Sequence, residues 1–277
     1  MKREKLFLTV IIVLAIGLGL EWNAIIEMKE ENKVAVQKAQ RADDYREIQN
    51  VFAKHSYYYA AQEQWLELET AWSKKRDDIS YGHNHGYYYG REAVYDYYGQ
   101  KNEDRRKQTL EMVNKLYPEV KNIPENEGVG DLVIHTLTTP VIEIAGDRKT
   151  AQGVWMSVGL ASRVGQDGRP QYDWFWEKFG VDFVREDGEW KIWHFQIFTD
   201  TGFSENMGGG MVGPPDAGPP PQGQGPSRGE GPPKEKQSDM NRMIQMYEIY
   251  SPTRVPQNVP RLPEPYETWE DTTPYIK

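Results

Sequence analysis

The residues of this chain with chemistry to offer are its 5 histidines and the tyrosine run Tyr57-Tyr58-Tyr59. An imidazole titrates near neutral pH and can move a proton beside a carbonyl or hydroxyl. A phenol in apolar surroundings is a neutral donor to a developing oxyanion. His55 and Tyr59 stand four residues apart, with Tyr58 beside them, so on a helix these three point inward together and Tyr57 is the outlier. His135 and His194 fall in strand-like runs. His83 and His85 lie in Tyr81-Gly-His-Asn-His-Gly-Tyr87. If that piece is extended, both rings share a face and the spacing suits a metal ion, which needs a third ligand. The flanking glycines point instead to a bend, a loop in which His85 and Tyr87 offer contacts to a substrate. Trp155, Trp174 and Trp176 read first as core, then as a platform for a flat aromatic ligand.

These groups need elements to hold them. Ile48, Val51, Phe52, His55, Tyr59, Trp65 and Trp72 recur at helical spacing, and Asp43 and Asp44 suit the first turn of a helix starting there. Residues 79–90 predict a β-ribbon, Arg91–Tyr98 a short helix, and Asn102–Tyr117 a helix ended by Pro118. Four strands follow, Leu132–Ala145, Thr150–Val164, Tyr172–Arg185 and Glu189–Thr199. The turns between them carry Gly146-Asp147, Gln166-Asp167-Gly168 and Glu186-Asp187-Gly188. Helices first and a long antiparallel meander second is the α+β pattern. The last strand is apolar on both sides, so both faces of the sheet must be covered: one by the helices, the other by a partner subunit or the chain's own tail.

Composition removes several classes of function. The net charge is −9 in 277 residues, which supplies no basic stripe for nucleic acid. With Cys 0, disulfides, thiolate catalysis and cysteine-held metals are excluded. The N-terminus carries Lys2, Arg3 and Lys5 ahead of the uncharged run Leu6–Leu20, the pattern of a signal sequence. A helix of that run spans about 22 Å, short for a hydrocarbon core of ~30 Å. Residues 1–21 are therefore expected to be a signal anchor or a cleaved signal peptide. Either places the rest outside the cytoplasm, anchored to the membrane or secreted. Residues 22–41 read as a charged helical stalk, 42–203 as the folded domain and 204–238 as a disordered Gly/Pro-rich linker. Residues 239–277 read as a Pro- and aromatic-rich strap, with Met240–Tyr250 briefly helical.

Within 42–200 three stretches resemble the SnoaL-like branch of the nuclear transport factor 2-like superfamily. They are DDYREIQNVFAKHSYYYAAQEQWLELETAW, GYYYGREAVYDYY and IHTLTTPVIEIAGDRKTAQGVW, followed by EWKIWHFQI. The resemblance implies an α+β cone: a curved antiparallel sheet wrapped on N-terminal helices around a deep apolar cavity. It implies no metal and no cofactor. Relatives include scytalone dehydratase, ketosteroid isomerase, bile-acid 7α-dehydratase and binding modules without chemistry, commonly as dimers or trimers.

His135 matches the histidine at the start of the family's hairpin motif, which implies a proton-moving role. Tyr58 and Tyr59, with His55, sit where relatives carry a helix tyrosine that polarises a substrate oxygen. His194 lies near a pocket-facing basic position. The dehydratase relatives also carry an aspartate one turn further along the helix, where this chain has Ala60-Ala61. The expected function is a cofactor-free lyase or isomerase on a hydrophobic cyclic or aromatic molecule. His135, Tyr58, Tyr59 and His55 would be catalytic. His194, His85, Tyr87, Trp155, Trp174 and Trp176 would contact substrate. The alternatives are a non-catalytic small-molecule binding module and an oligomeric assembly protein.

Overall fold

The computed structural model describes residues 2–165, 168–204, 240–243 and 247–276. Residues 205–238 of the predicted linker lie outside them, as do the side chains of residues 1–21, on which the anchor expectation rests; Ser204 is instead the last residue of a strand. Among the described residues no helix is long and apolar enough to cross a membrane. Contacts divide the chain into residues 1–46 and 47–277. The first unit is the leading part of helix α1 (Lys2–Ala60), a single helix without the restart expected at Asp43. Its Ile25, Ile26, Val34 and Val36 are exposed.

In the second unit α1 contributes its last turns. Ile48, Phe52 and His55 are buried, and the Phe52 ring meets Trp155, Phe179, Phe183 and Phe195. This is the helical stripe read from the sequence, closed onto one face of a sheet. After α2 (Gln64–Thr70) come the hairpin strands β1 (Ser80–His83) and β2 (Gly86–Tyr89). Then follow α3 (Arg91–Val94), a π-helical turn (Tyr95–Lys101) and α4 (Asn102–Leu116). The meander is β3 (Asp131–Ile144), β4 (Thr150–Val164), β5 (Pro170–Glu186) and β6 (Glu189–Ser204). A short strand β7 (Arg242–Met243) completes a curved 7-stranded sheet in the order β3-β4-β5-β6-β1-β2-β7. The pairs are antiparallel except β1 with β6, which runs parallel.

Residues 242–243 are strand, where the sequence predicted helix. The outer edge of β2 offers unpaired main-chain groups, and the tail satisfies them. Tyr87 pairs with Arg242, Gly86 with Met243, and the Asn241 amide bonds both the N–H and the carbonyl of Tyr89. Beyond Tyr247 the chain is extended apart from a 3-10 turn at Trp269–Asp271, and lies on the outer face of the sheet. Trp269 packs against Trp193 with the rings tilted, centroids 4.5 Å apart. Tyr275 covers Gly180, where a Cβ would come within 2.8 Å of its ring, so a side chain at 180 would lift the strap. The expected docking of the aromatic tail is thus made on its own domain.

Candidate active site

Strand register decides which side chains meet. On β3 the residues Asp131, Val133, His135 and Leu137 face α1. Their β4 partners are Arg163, Ala161, Gly159 and Ser157. Gly159 pairs with Phe175 of β5, and Ser157 with Glu177. Glu177 in turn accepts a hydrogen bond from Thr199 Oγ1 of β6 at 2.8 Å. Adjacent inward pairs on neighbouring strands are close enough to interact, so this row places a histidine beside a carboxylate.

His135 Nδ1 lies 3.3 Å from Glu177 Oε2, and both side chains are 9% exposed. The approach is an ion-pair contact short of a formed hydrogen bond: among the described residues neither atom has a hydrogen-bond partner. Gly159 permits it, since a Cβ there would lie 2.1 Å from the Phe175 ring and 3.1 Å from His135 Nδ1. Burial pushes the Glu177 carboxyl up, but His135, the Thr199 hydroxyl and the charge of His83 outweigh it and hold the group below the usual glutamate range. Glu177 is therefore an anion fixed behind an imidazole. The Ser157 hydroxyl, on the adjacent inward position, is buried without a hydrogen-bond partner among the described residues.

Tyr59 arrives from the last turn of α1. Its ring meets that of His135 edge-on at 5.4 Å and that of His55 at 5.6 Å. It is half-buried. Burial pushes its phenol up, and the charges of Arg105 and Arg163 pull part of the way back, so it stays a neutral donor at ordinary pH. Phe175 and Phe179 complete the apolar wall, 5.4 and 5.6 Å from the His135 ring.

Of the sequence candidates, His135 and Tyr59 are brought together, and His55 stands behind them. His55 Nδ1 is 2.9 Å from Glu67 Oε1. Glu67 also accepts from Tyr98 at 2.6 Å and from Trp72 at 3.1 Å, so this buried carboxylate is saturated. Tyr58 is half-buried and makes no side-chain hydrogen bond or ring contact among the described residues.

The other candidates are placed elsewhere. Trp155 is inside the core against Phe52 and Phe183. With Phe175 and Glu177 facing in, strand alternation turns Trp174 and Trp176 outward, where both stack on Phe203. His194 also faces outward, beneath the strap. Its Nδ1 is 2.9 Å from Asp182 Oδ2 and its Nε2 is 3.2 Å from the Asp78 carbonyl. Tyr87 pairs with Gly82 and Arg242 on the outer face. His83 and His85 do not share a strand face: His83 ends β1, its ring 5.1 Å from Tyr81, while His85 sits buried in the turn before β2. Among the described residues no group of three metal-ligating side chains is assembled.

Glu177, Thr199 and Glu67 were not singled out from the sequence. The signal for Glu177 was an acid alternating with Phe175 and Phe179 in WFWEKF, on a strand whose aromatic residues had to face the helices.

Among solved structures, a scytalone dehydratase-like protein from Novosphingobium aromaticivorans DSM 12444 is similar at 13% identity. The match covers 58% of this chain and 87% of that one, with a TM-score of 0.41. The hexachlorocyclohexane dehydrochlorinase LinA-type3 from Novosphingobium barchaimii LL02 is similar at 16% identity, covering 59% of this chain and 91% of that one, with a TM-score of 0.42. No curated protein matches the chain. The sequence model of one family, described as a SnoaL-like domain, matches residues 40–196. That match takes in more than half of the chain, including α1's inward turns and the strands bearing His135 and Glu177, and so this chain belongs to the SnoaL-like domain family of the nuclear transport factor 2-like superfamily.

Proposed function

We propose that the chain is a cofactor-independent lyase or isomerase that moves a proton on a hydrophobic cyclic or aromatic small molecule. The observation that carries this reading is the contact between His135 and the ionised Glu177, with the Tyr59 phenol edge-on to the same imidazole. An Nδ1–H directed at Glu177 leaves Nε2 as the base and stabilises the imidazolium formed when it takes a proton. Tyr59 supplies the donor for the oxyanion that develops. The dehydratase relatives carry a helix aspartate where this chain has alanines; here β5 delivers the carboxylate instead. Apolar walls from Leu137, Phe175 and Phe179 favour an apolar ligand body over a charged one.

The reading is tested with hydroxylated bicyclic ketones as a substrate panel, following loss of water or double-bond migration by absorbance. His135→Ala is expected to lower the rate by about 10²–10⁴-fold. An unchanged rate, or no turnover of any panel member by the native chain, removes the reading.

Two further parts of the proposal concern assembly and place. The half of the outer face that the strap leaves open carries Leu132, Ile134, Met156, Val158 and Trp176 exposed on three neighbouring strands, which supports a second copy of the chain seated there. Val158→Glu should then reduce the mass found by light scattering. The positive N-terminus followed by Leu6–Leu20 supports placement outside the cytoplasm, at a membrane or released from one. Fractionation of cells expressing the full chain tests it.

A further inference from the structure

The inward row that holds His135 continues to the start of β3, where the polar groups change character. Asp131 and Arg163 are register partners across β3 and β4. The Asp131 carboxylate has no exposed surface and is held between two guanidiniums. Arg163 Nε is 3.4 Å from Oδ1, and Arg105 Nε, from α4, is 3.4 Å from Oδ2. Gln62, just past α1, donates its amide to the Asp131 carbonyl and ties the end of the helix to this point. Tyr59 is therefore one helical turn from the same cluster, and its phenol feels the charges of both arginines and of Asp131.

The neighbouring Arg106 turns to Gln64 Oε1 at 2.6 Å and faces Glu127 and Glu103. Arg163 binds Asp131 through Nε alone. Among the described residues its terminal nitrogens have no partner, and its side chain is 45% exposed. The Tyr59 hydroxyl likewise has no hydrogen-bond partner among them. A guanidinium pinned at Nε presents its two terminal nitrogens as a planar fork, the geometry that matches a carboxylate.

We propose that Arg163 and the Tyr59 hydroxyl form an anion subsite at the open end of the site row, which takes a carboxylate on the substrate. Asp131 is its positioning residue. The inference rests on the proposed small-molecule reading and deepens it. The ligand lies with its acid at Arg163 and its apolar body directed along the row toward His135, so that a ring C–H is presented to the imidazole. The inward alternation of 131, 133 and 135 on β3 and of 163, 161 and 159 on β4 fixes that order.

The test uses 2-naphthoate and its neutral isostere 2-naphthamide, titrated by calorimetry against the full native chain, Arg163→Gln, Arg163→Lys and Tyr59→Phe. The native chain is expected to bind the acid at least about 10-fold more tightly than the amide, with a preference that falls as salt rises. Arg163→Gln should abolish the preference and leave amide affinity within about 2-fold. Arg163→Lys, which keeps the charge and loses the fork, should retain part of it. Tyr59→Phe should weaken the acid several-fold. Arg105 still holds Asp131 in each Arg163 variant, so the fold is expected to persist, and Arg163→Lys serves if the glutamine variant does not fold. Equal binding of acid and amide by the native chain, or a preference that survives Arg163→Gln, overturns the subsite and leaves the proposed small-molecule reading standing. Binding of neither compound overturns both.

Discussion

Two histidine–carboxylate pairs lie on opposite faces of the same sheet, and they differ in how complete they are. On the outer face, Asp182 Oδ1 accepts from Gln152 at 2.7 Å, while Oδ2 accepts the strap's Tyr275 N–H at 3.2 Å and contacts His194 at 2.9 Å. The second nitrogen of His194 is also engaged, at the Asp78 carbonyl. Every strong position is filled, and the strap seals the pair. On the inner face, Glu177 has one oxygen bonded to Thr199 and the other in loose contact with His135, 3.3 Å away. A saturated pair in a sealed place is a structural clasp. An unsaturated pair beside half-buried rings is a place where a ligand can complete the hydrogen bonding. The His55–Glu67 pair repeats the saturated pattern inside the core.

The comparison can be broken hardest at Glu67. Glu67→Leu leaves the donors of Trp72, Tyr98 and His55 buried without an acceptor, and the cost should be about 3–5 kcal/mol by urea unfolding. A loss under about 1 kcal/mol would show that this clasp is dispensable. Next comes Asp182→Ala, which removes the acceptor shared by Gln152, His194 and the strap. About 1–3 kcal/mol should be lost, with proteolysis appearing first beyond Tyr247. Cleavage unchanged by the variant would mean that the aromatic contacts hold the strap alone.

At the open pair the effects should fall on rate before stability. Glu177→Gln keeps the shape and removes the charge behind His135. A rate loss of about 10–100-fold, equivalent to about 1.4–2.7 kcal/mol, is expected, together with a smaller loss of stability at neutral pH that vanishes in acid. Its pH signature has a definite sign. Because the folded carboxyl lies below the ordinary range, the native chain holds this contribution in full above a pH of about 4.3 and loses it as pH falls through the folded value. Glu177→Gln should flatten the stability curve in that acidic window alone; a parallel curve would contradict an ionised Glu177. The smallest effect belongs to Tyr57, 78% exposed on the far side of the helix, where Tyr57→Ser should stay within about 0.5 kcal/mol and leave rate unchanged.

The sequence made the elements legible and left the faces open. β4 runs Thr150–Val164 as predicted because its alternation is uninterrupted between two turns. β6 runs on to Ser204, past the predicted end at Thr199, because pairing with β5 carries Thr201, Gly202 and Phe203, whose types alone do not announce a strand. His135 could be placed through its motif and Tyr59 through helical spacing. His194 could not. Its strand is apolar on both sides, so period-two alternation gives two sets of residues without saying which is inside, and a register irregularity at Asp182/Phe183 shifts the parity. Burial of the outer set depends on a strap more than fifty residues later in the chain, a contact that no local pattern encodes. Glu177 stayed hidden for the same reason: its role requires knowing that 175, 177 and 179 face in.

The most direct measurement compares the two strand histidines in one assay: uptake of deuterium from heavy water into a bicyclic ketone bound by the native chain, His135→Gln and His194→Gln, read by mass spectrometry. His135→Gln is expected to lose at least about 100-fold in exchange rate while His194→Gln, if folded, keeps it within about 3-fold. Equal rates in the native chain and His135→Gln, or a loss confined to His194→Gln, would contradict the assignment of proton transfer to the open pair on the inner face.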